Sequence, residues 1–198
     1  MSTSTGRSVI NQYIVVQRVR NVTTKRNTTL RTVRLARDLD NLLQKDAKAK
    51  RMSVNSLMTA IITKYTEWDR HAEKFGFVSL TRDGLRLILE GVDDDKLSQI
   101  GKHHGKTTNK EFMMFWFKKI DINAFLDGLS LFCRYARVAE YDLETDGRNY
   151  TITMHHELGE KWSTWLGHVI SQGIETDLGL NPKLDFSKSS IIIKFLVP

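Results

Sequence analysis

The chain of 198 residues lacks the features that mark exported and membrane proteins. Cys133 is its single cysteine, so no disulfide can close within the chain, which suits a reducing compartment. No apolar run approaches the roughly 20 residues that span a bilayer, and the N-terminus has no apolar signal segment. We therefore expect a soluble, cytoplasmic protein with no membrane partner.

Proline and the common catalytic motifs are also scarce. Only Pro182 and Pro198 interrupt the chain, so long helices can form. There is no glycine-rich phosphate loop, no HExxH, no CxxC and no nucleophile elbow. We therefore expect a protein that is not an enzyme and that needs no cofactor.

Positive charge is concentrated in the first part of the chain. Residues 1–76 contain 15 Lys or Arg and 6 Asp or Glu, a net of +9, whereas residues 77–198 have a net charge of −2. Such a segment favours binding to a phosphate backbone, because counterions are released there. An anionic membrane is the weaker alternative, since the apolar residues of this segment follow core-forming patterns.

Residues 1–27 combine Ser and Thr with basic residues at no regular period, so we predict a flexible basic arm. Such an arm can follow phosphates or enter a minor groove. The alternative is a solvated tail with no binding role. The basic residues of the arm are Arg7, Arg18, Arg20, Lys25 and Arg26.

The segment from Thr29 to Trp68 predicts one short strand followed by two amphipathic helices. From Thr29 to Leu35 a strand would place Arg31, Val33 and Leu35 on one side and Leu30, Thr32 and Arg34 on the other, so that only the second side is well equipped for polar contacts. Ser53 has the position of a helix N-cap between the two helices. The first helical stripe is Leu35, Leu39, Leu42, Leu43 and Ala47. The second stripe is Val54, Leu57, Met58, Ile61, Ile62, Tyr65 and Trp68.

One strand and two helices of this length cannot bury their apolar stripes within a single chain. A symmetric dimer solves this economically, because two strands pair antiparallel and four helices enclose a shared core. We therefore predict an intertwined homodimer (β-α-α) over residues 28–76.

This stretch resembles the ribbon-helix-helix repressors of the Arc, MetJ and CopG type. The strand, the spacing from Leu35 to Ser53 and the SVNS turn carry the resemblance. In that family the two-stranded ribbon enters the major groove of double-stranded DNA. The resemblance implies base contacts by Thr32, Arg34 and Leu30. It implies phosphate contacts by Arg31 and, at the start of the second helix, by Ser53, Val54 and Asn55.

We assign residues 77–198 to a C-terminal α+β domain that begins after Gly76, a natural helix end. Helices are predicted from about Thr81 and from Asp93. The following elements are a buried strand at Glu111–Phe117, a helix at 121–135, hairpin strands at 138–143 and 150–155, a helix at 156–177, a loop at 179–186 and a strand at 189–197. This order, β-α-β-β-α-β, is typical of a ferredoxin-like α/β sandwich.

The C-terminal domain gives weaker indications of its role. Its segment HHELGEKWSTWL resembles appended domains of archaeal ribbon-helix-helix proteins. Ferredoxin-like sheets carry many unrelated activities, so the fold does not decide between them. We expect this domain to extend dimerisation, to sense a small-molecule effector or to bind another protein.

His155 and His156, with Glu157, form a cluster of candidate metal ligands. The domain order resembles nickel-responsive repressors, but the cysteine that follows a spaced His series in that family is missing here. Adjacent strand residues point to opposite faces, so both His could bind one ion only where the strand ends. We favour a structural interpretation, with one buried His and one at a helix start, and expect no bound metal.

Together these patterns predict a dimeric, nucleoid-associated transcription regulator that binds specific sequences of double-stranded DNA. Two alternatives stay open. One is an antitoxin-like or scaffold protein whose C-terminal domain binds another protein, and the other is a metal- or ligand-responsive repressor.

Overall fold

The computed structural model describes residues 29–198, which form an α+β fold with a four-stranded antiparallel sheet. The helices are α1 Arg37–Ala49, α2 Val54–Lys64, α3 Arg70–Phe75, α4 Arg82–Glu90, α5 Asp94–Phe117, α6 Ile122–Ala136 and α7 Glu160–Leu178. The strands are β1 Glu140–Thr145, β2 Asn149–His155, β3 Lys183–Phe186 and β4 Ser190–Leu196. The predicted arm at 1–27 lies outside the described residues.

The two helices predicted after residue 35 are confirmed. Helix α2 begins where expected, because the Ser53 hydroxyl oxygen accepts a hydrogen bond from the Ser56 N–H at 3.0 Å. A π-helical turn, Tyr65–Asp69, joins α2 to α3, and Gly76 ends α3 with a left-handed φ of 93°. Residues 29–36 have no regular secondary structure, and none of the strands within residues 29–198 pairs with them.

An aromatic cluster joins the π-helical turn and α3 to helices α5 and α6. Trp68 is 6% exposed and lies within 6.5 Å, centroid to centroid, of Phe77, Phe112, Trp116, Phe132 and Tyr135. The prediction that placed Trp68 in the shared dimer stripe is therefore wrong, because this side chain is buried within its own chain.

Glu67 adds polar contacts to the same joint. The Tyr135 hydroxyl donates to the Glu67 carboxylate at 2.7 Å, and the Trp116 indole N–H donates to the Glu67 carbonyl oxygen at 3.0 Å. The Arg134 guanidinium lies 3.8 Å from the same carboxylate. Apolar contacts of Trp68 and hydrogen bonds of Glu67 thus attach the N-terminal helices to the C-terminal region. These contacts cross the boundary that we predicted near Gly76.

The predicted strand Glu111–Phe117 is helical, which is a correction to the ferredoxin-like prediction. Helix α5 continues from Asp94 to Phe117 without a break. The last turns of α5 are apolar because other helices pack around them. Phe112 contacts Gly128 of α6, and Phe115 lies near Phe75 of α3. The run of six apolar residues after Glu111 fits such a helix as well as it fits a buried strand.

The sheet also differs from the ferredoxin-like arrangement, because it lacks the strand predicted at Glu111–Phe117 and contains a strand, β3, that was not predicted. The predicted hairpin of β1 and β2 is confirmed, with Tyr141 opposite Met154. Strand β3 lies in the segment that we predicted as a loop, and it pairs with β4. The resulting strand order is β1-β2-β4-β3 with every neighbour antiparallel, following the chain order α-β-β-α-β-β after α5.

Helix α7 lies between the sheet and α5. Its Gly167 faces Leu184 and Ile191 of the sheet, whereas the backbone at Trp165 and Val169 faces α5. The apolar core follows this layering and includes Leu97, Met113, Phe125, Leu129, Cys133, Ile152, Met154, Trp162, Leu166, Ile170, Ile174, Ile191, Ile193 and Phe195. Cys133 is buried, as predicted, and burial raises the pKa of its thiol to about 12.

Helices α5 and α7 approach each other closely at two glycines of α5. A Cβ added to Gly101 would lie 2.7 Å from the Trp165 carbonyl oxygen, and one added to Gly105 would lie 2.5 Å from that of Val169. One turn later, the Asn109 side-chain amide donates to the Val169 oxygen at 2.8 Å. Only a residue without a side chain fits at the two glycine positions.

Gly105→Ala is expected to lower the free energy of unfolding by about 1–3 kcal/mol, because the new methyl group would force the two helix backbones apart. Chemical denaturation measures this change. Gly91→Ala is the control, since its Cβ would meet only the Ile88 carbonyl oxygen at an ordinary 3.6 Å. Equal stability of the two variants would contradict the close contact between α5 and α7.

Candidate functional site

The predicted base-reading residues lie on a solvent-exposed segment without regular secondary structure before α1. Leu30 is 93% exposed, and Arg31, Thr32 and Arg34 are exposed as well. Neither Arg31 nor Arg34 forms a salt bridge with a residue in the range 29–198. These side chains are therefore available to a partner in the single chain.

A tight turn between α1 and α2 places basic residues just before the second helix. Arg51 adopts a left-handed backbone with φ of 54°, its N–H donates to the Lys48 oxygen at 3.1 Å, and the Met52 N–H donates to the Ala47 oxygen at 3.0 Å. Lys50 and Arg51 are exposed. The start of α2 is thus bordered by positive charge.

The start of α2 has the free N–H groups that an anion requires. The N–H groups of Val54 and Asn55 have no acceptor within the helix, and the helix dipole adds positive potential there. The Ser53 hydroxyl, predicted to bind phosphate, also accepts from the Ser56 N–H and lies 2.8 Å from the Ser56 hydroxyl. Its first role in the structure is therefore to cap the helix.

An apolar surface on α1 and α2 is uncovered in the single chain, and we call it the open apolar face. Leu42 is 58% exposed and Ile61 is 50% exposed, although both belong to the predicted core stripes. The remaining members are Leu39, Ile62 and Tyr65. Exposed large apolar side chains that recur at helical spacing mark a surface that a partner can cover.

The candidate metal ligands His155 and His156 have different environments. His155 is exposed at the end of β2, whereas His156 is 7% exposed. The Nδ1 atom of His156 accepts a hydrogen bond from the Leu158 N–H at 3.3 Å, and its Nε2 atom lies 2.8 Å from the Ser163 Oγ. Both ring nitrogens of His156 are thus occupied by the protein itself.

The pair of His156 and Ser163 has the spacing of a base and a nucleophile but the wrong hydrogen pattern. Because Nδ1 accepts a hydrogen bond from the Leu158 N–H, the ring proton lies on Nε2, which donates to the Ser163 Oγ. The Ser163 hydroxyl donates to the Ser187 carbonyl oxygen at 2.6 Å. Ser163 is also 0% exposed, so no substrate reaches it.

Sequence reasoning identified His156 but missed Ser163 and Ser187. The three residues are brought together by β2, α7 and the turn after β3. A serine seven residues after a histidine, facing the sheet from α7, was the only local signal for Ser163. The position of Ser187 depends on strand β3, which the sequence did not predict.

A cavity of about 380 Å³ lies where the start of α6, the end of α7 and the end of the chain meet. Its volume falls within the range of small-ligand pockets. Burial raises the pKa of Asp177, whose Oδ2 atom has no hydrogen-bond partner. The lining residues are Ile120, Asp121, Ile122, Asp177, Leu178, Gly179, Leu180, Val197 and Pro198.

Two further observations concern residues 29–198. No three His, Cys, Asp or Glu side chains in this range are grouped closely enough to hold one metal ion. No helix in the same range is long and apolar enough to cross a membrane.

The sequence matches no protein-family model and no curated protein.

Stability is expected to decrease as the pH falls below 6.5, in part because of His156. Burial, and then the neighbouring His155, lowers the pKa of His156 from its ordinary value of 6.5. The unfolded chain then binds a proton more readily than the folded one, so this contribution is complete above pH 6.5 and is lost as the pH falls through the lower, folded pKa. Denaturation at several pH values measures the dependence.

His156→Gln is expected to weaken this pH dependence, because it removes one titrating group, while His71, His104 and His168 retain their lowered pKa values. Ser163→Ala is the matched control. It removes the hydrogen-bond partner but keeps the imidazole, so it should lower stability at every pH and keep the pH dependence. An unchanged dependence in His156→Gln would contradict the buried, neutral state of this ring.

Proposed function

We propose that the protein is a dimeric transcription regulator that binds specific sequences of double-stranded DNA through a ribbon-helix-helix region at residues 28–76. The observation that carries the proposal is the open apolar face, which lies on the two helices that directly follow a segment paired with no strand of residues 29–198. A second copy of the same region supplies both missing partners. Its strand pairs with Thr29–Leu35, and its helices cover the exposed side chains.

The argument for a second copy rests on the pattern of burial in α1 and α2. Ala47 and Leu57 are buried within the single chain, whereas Leu42 and Ile61 remain about half exposed. These exposed positions have the same helical period as the buried ones, so one continuous stripe is covered only in part. A symmetric partner presents the same stripe and buries the rest.

The argument for DNA rests on charge and on exposed polar groups. In a paired ribbon, Leu30, Thr32 and Arg34 lie on one side, which is the side a ribbon presents to the major groove. Arg34 can donate two hydrogen bonds to guanine, Thr32 offers a hydroxyl and a methyl group, and Leu30 can contact a thymine methyl. These groups would read the sequence.

Phosphate contacts would set the depth of the ribbon in the groove. The free N–H groups of Val54 and Asn55 and the basic turn at Lys50 and Arg51 border the start of α2, where the dipole favours an anion. Arg31 lies beside the reading residues and would reach the backbone of the DNA. Such contacts position the protein and carry no sequence information.

A ligand-responsive regulator is the second candidate, and the 380 Å³ cavity favours it. A small molecule in this cavity would contact both α6 and α7. Helix α6 also carries Phe132 and Tyr135, which contact Trp68 of the N-terminal helices. Binding there would thus act on the joint that connects the two regions. The nucleoid association that we expect would follow from DNA binding in either case.

Ile61→Asp is expected to convert the dimer into a monomer, because dimerisation would bury an unpaired charge in the shared core. Sedimentation of the full-length protein measures the oligomeric state. The near-UV signal of the tryptophans should be retained, since the aromatic cluster and the sheet lie outside the open apolar face.

Leu87→Asp is the matched control. Leu87 on α4 is 63% exposed and apolar, and it lies outside the open apolar face. This variant should remain a dimer. A wild-type protein that sediments as a monomer at micromolar concentration, or a dimer that persists in Ile61→Asp, would rule out the proposed interface.

Arg34→Ala is expected to weaken binding to the preferred sequence by about 1–3 kcal/mol and to relax preference at one base pair in each half-site. Selection from random duplexes identifies the preferred sequence, and titration at fixed salt measures the affinity. Unchanged affinity and preference would show that the ribbon does not read DNA.

Two variants separate reading from positioning. Arg31→Ala should weaken binding to all sequences alike. Val54→Pro should do the same, because it deletes an N–H that has no acceptor in the helix, at a position where helices accept proline. Ser53 has an extended ψ of 156°, which also suits a residue before proline. Val54→Pro is a cleaner test of the phosphate contact than Ser53→Ala, which would also remove the helix cap.

A further inference from the structure

Helix α5 contains a row of regularly spaced lysines within a segment that has no acidic residue. The segment from Lys96 to Lys110 contains four lysines and two histidines and no Asp or Glu. The surrounding region, residues 77–198, has a net charge of −2. Four of the 15 Lys or Arg residues of this region thus lie within one helical segment, although Asp94, Asp95 and Glu111 flank it and leave α5 with a net charge of +1. We call Lys102, Lys106 and Lys110 the lysine row.

The lysine row has a fixed geometry because α5 is held against α7. Gly101, Gly105 and Asn109 contact α7, and each is followed directly by one lysine of the row. The lysines therefore follow one another at single-turn spacing, about 100° around the helix from the contact with α7. All three are exposed. The row spans about 12 Å, a length over which duplex DNA presents about seven phosphates.

The lysine row has no salt bridges, a property that it shares with other exposed cations such as Lys183, Lys188 and Lys194 but not with every exposed charge. Arg86 on α4 contacts Asp83 and Glu90, and Lys64 contacts Asp69 at 2.6 Å. None of the three lysines of the row lies within 4 Å of a carboxylate of residues 29–198. Like charges one turn apart on a helix repel each other. An anionic partner would remove this repulsion.

We propose that the lysine row is a second DNA-binding surface, which contacts the phosphate backbone of duplex DNA without reading its sequence. This proposal rests on the proposed function. Lysine, a compact charge with a flexible stem, suits phosphate contacts, and the row contains no arginine that could grip a base by two hydrogen bonds. Lysine is depleted in protein–protein interfaces, so an acidic protein partner fits the row less well.

The test compares the salt dependence of duplex binding by the full-length wild type and by the triple variant Lys102→Gln, Lys106→Gln and Lys110→Gln. Each lysine that contacts a phosphate contributes about 0.9 to the slope of log K against log salt. The slope is expected to decrease by up to about 2.7 for the three contacts of one protomer, or up to about 5.4 if both rows of a dimer contact the same duplex. The preferred sequence should stay the same.

A second triple variant controls for net charge. Lys183→Gln, Lys188→Gln and Lys194→Gln remove the same charge from exposed positions on β3, β4 and the turn between them. This variant should keep the wild-type slope. A wild-type slope in both triple variants, or an equal decrease in both, would overturn the role of the lysine row.

The two proposals fail in distinguishable ways. If the wild type binds duplex DNA and Arg34→Ala relaxes its sequence preference, an unchanged slope in the lysine-row variant overturns the lysine row alone. If the slope decreases but Arg34→Ala changes nothing, the lysine row stands and the ribbon does not read the sequence. If the wild type binds no duplex DNA at all, both proposals are overturned.

Discussion

The close contact between α5 and α7 determines where the other elements can lie. Gly101 and Gly105 bring the two helix backbones together, and Asn109 donates across the contact to the Val169 oxygen. Helix α7 also packs on β3 and β4 through Gly167, so the position of the sheet determines where α5 lies. Glycines thus lie at both contacts of α7, Gly167 towards the sheet and Gly101 and Gly105 of α5 on the opposite side. They allow the sheet, α7 and α5 to pack within a short distance.

The position of α5 in turn fixes the N-terminal helices. The last turns of α5 carry Phe112 and Trp116, whose rings stack at 4.2 Å and form part of the cluster around Trp68. The π-helical turn at Tyr65–Asp69 lies at this point of the helix, and both Glu67 and Trp68 face α5 and α6 from it. Helix α2, which precedes this turn, is covered only in part: Leu57 is buried, whereas Ile61 and Ile62 are exposed.

This division of one stripe has a functional meaning under the proposed function. Trp68 anchors the helices to the rest of the chain, while Ile61 and Leu42 remain for a second copy. The DNA-reading ribbon then requires two chains, whereas the C-terminal region packs within each chain. The lysine row, attached rigidly to α7, would extend the phosphate contacts of the ribbon beyond the bases that the ribbon reads.

Local signals alone predicted a substantial part of the structure. The N-cap at Ser53, the glycine end at Gly76, the start of α4 at Thr81 and the hairpin around Asp146 and Gly147 were all readable, because each depends on residues adjacent in the chain. The candidate DNA-contacting residues belong to the same class of inference. They rest on alternation and spacing within forty residues.

Tertiary structure alone decided the remaining features. After Glu111 the run to Phe117 is apolar throughout, so its period does not distinguish a strand from a helix. Only its packing against α3 and α6 makes it helical. Strand β3 exists because β4 offers it an edge, and the site of His156, Ser163 and Ser187 forms only when that strand is in place. Trp68 has the helical spacing of the dimer stripe, but rings distant in the sequence bury it within its own chain.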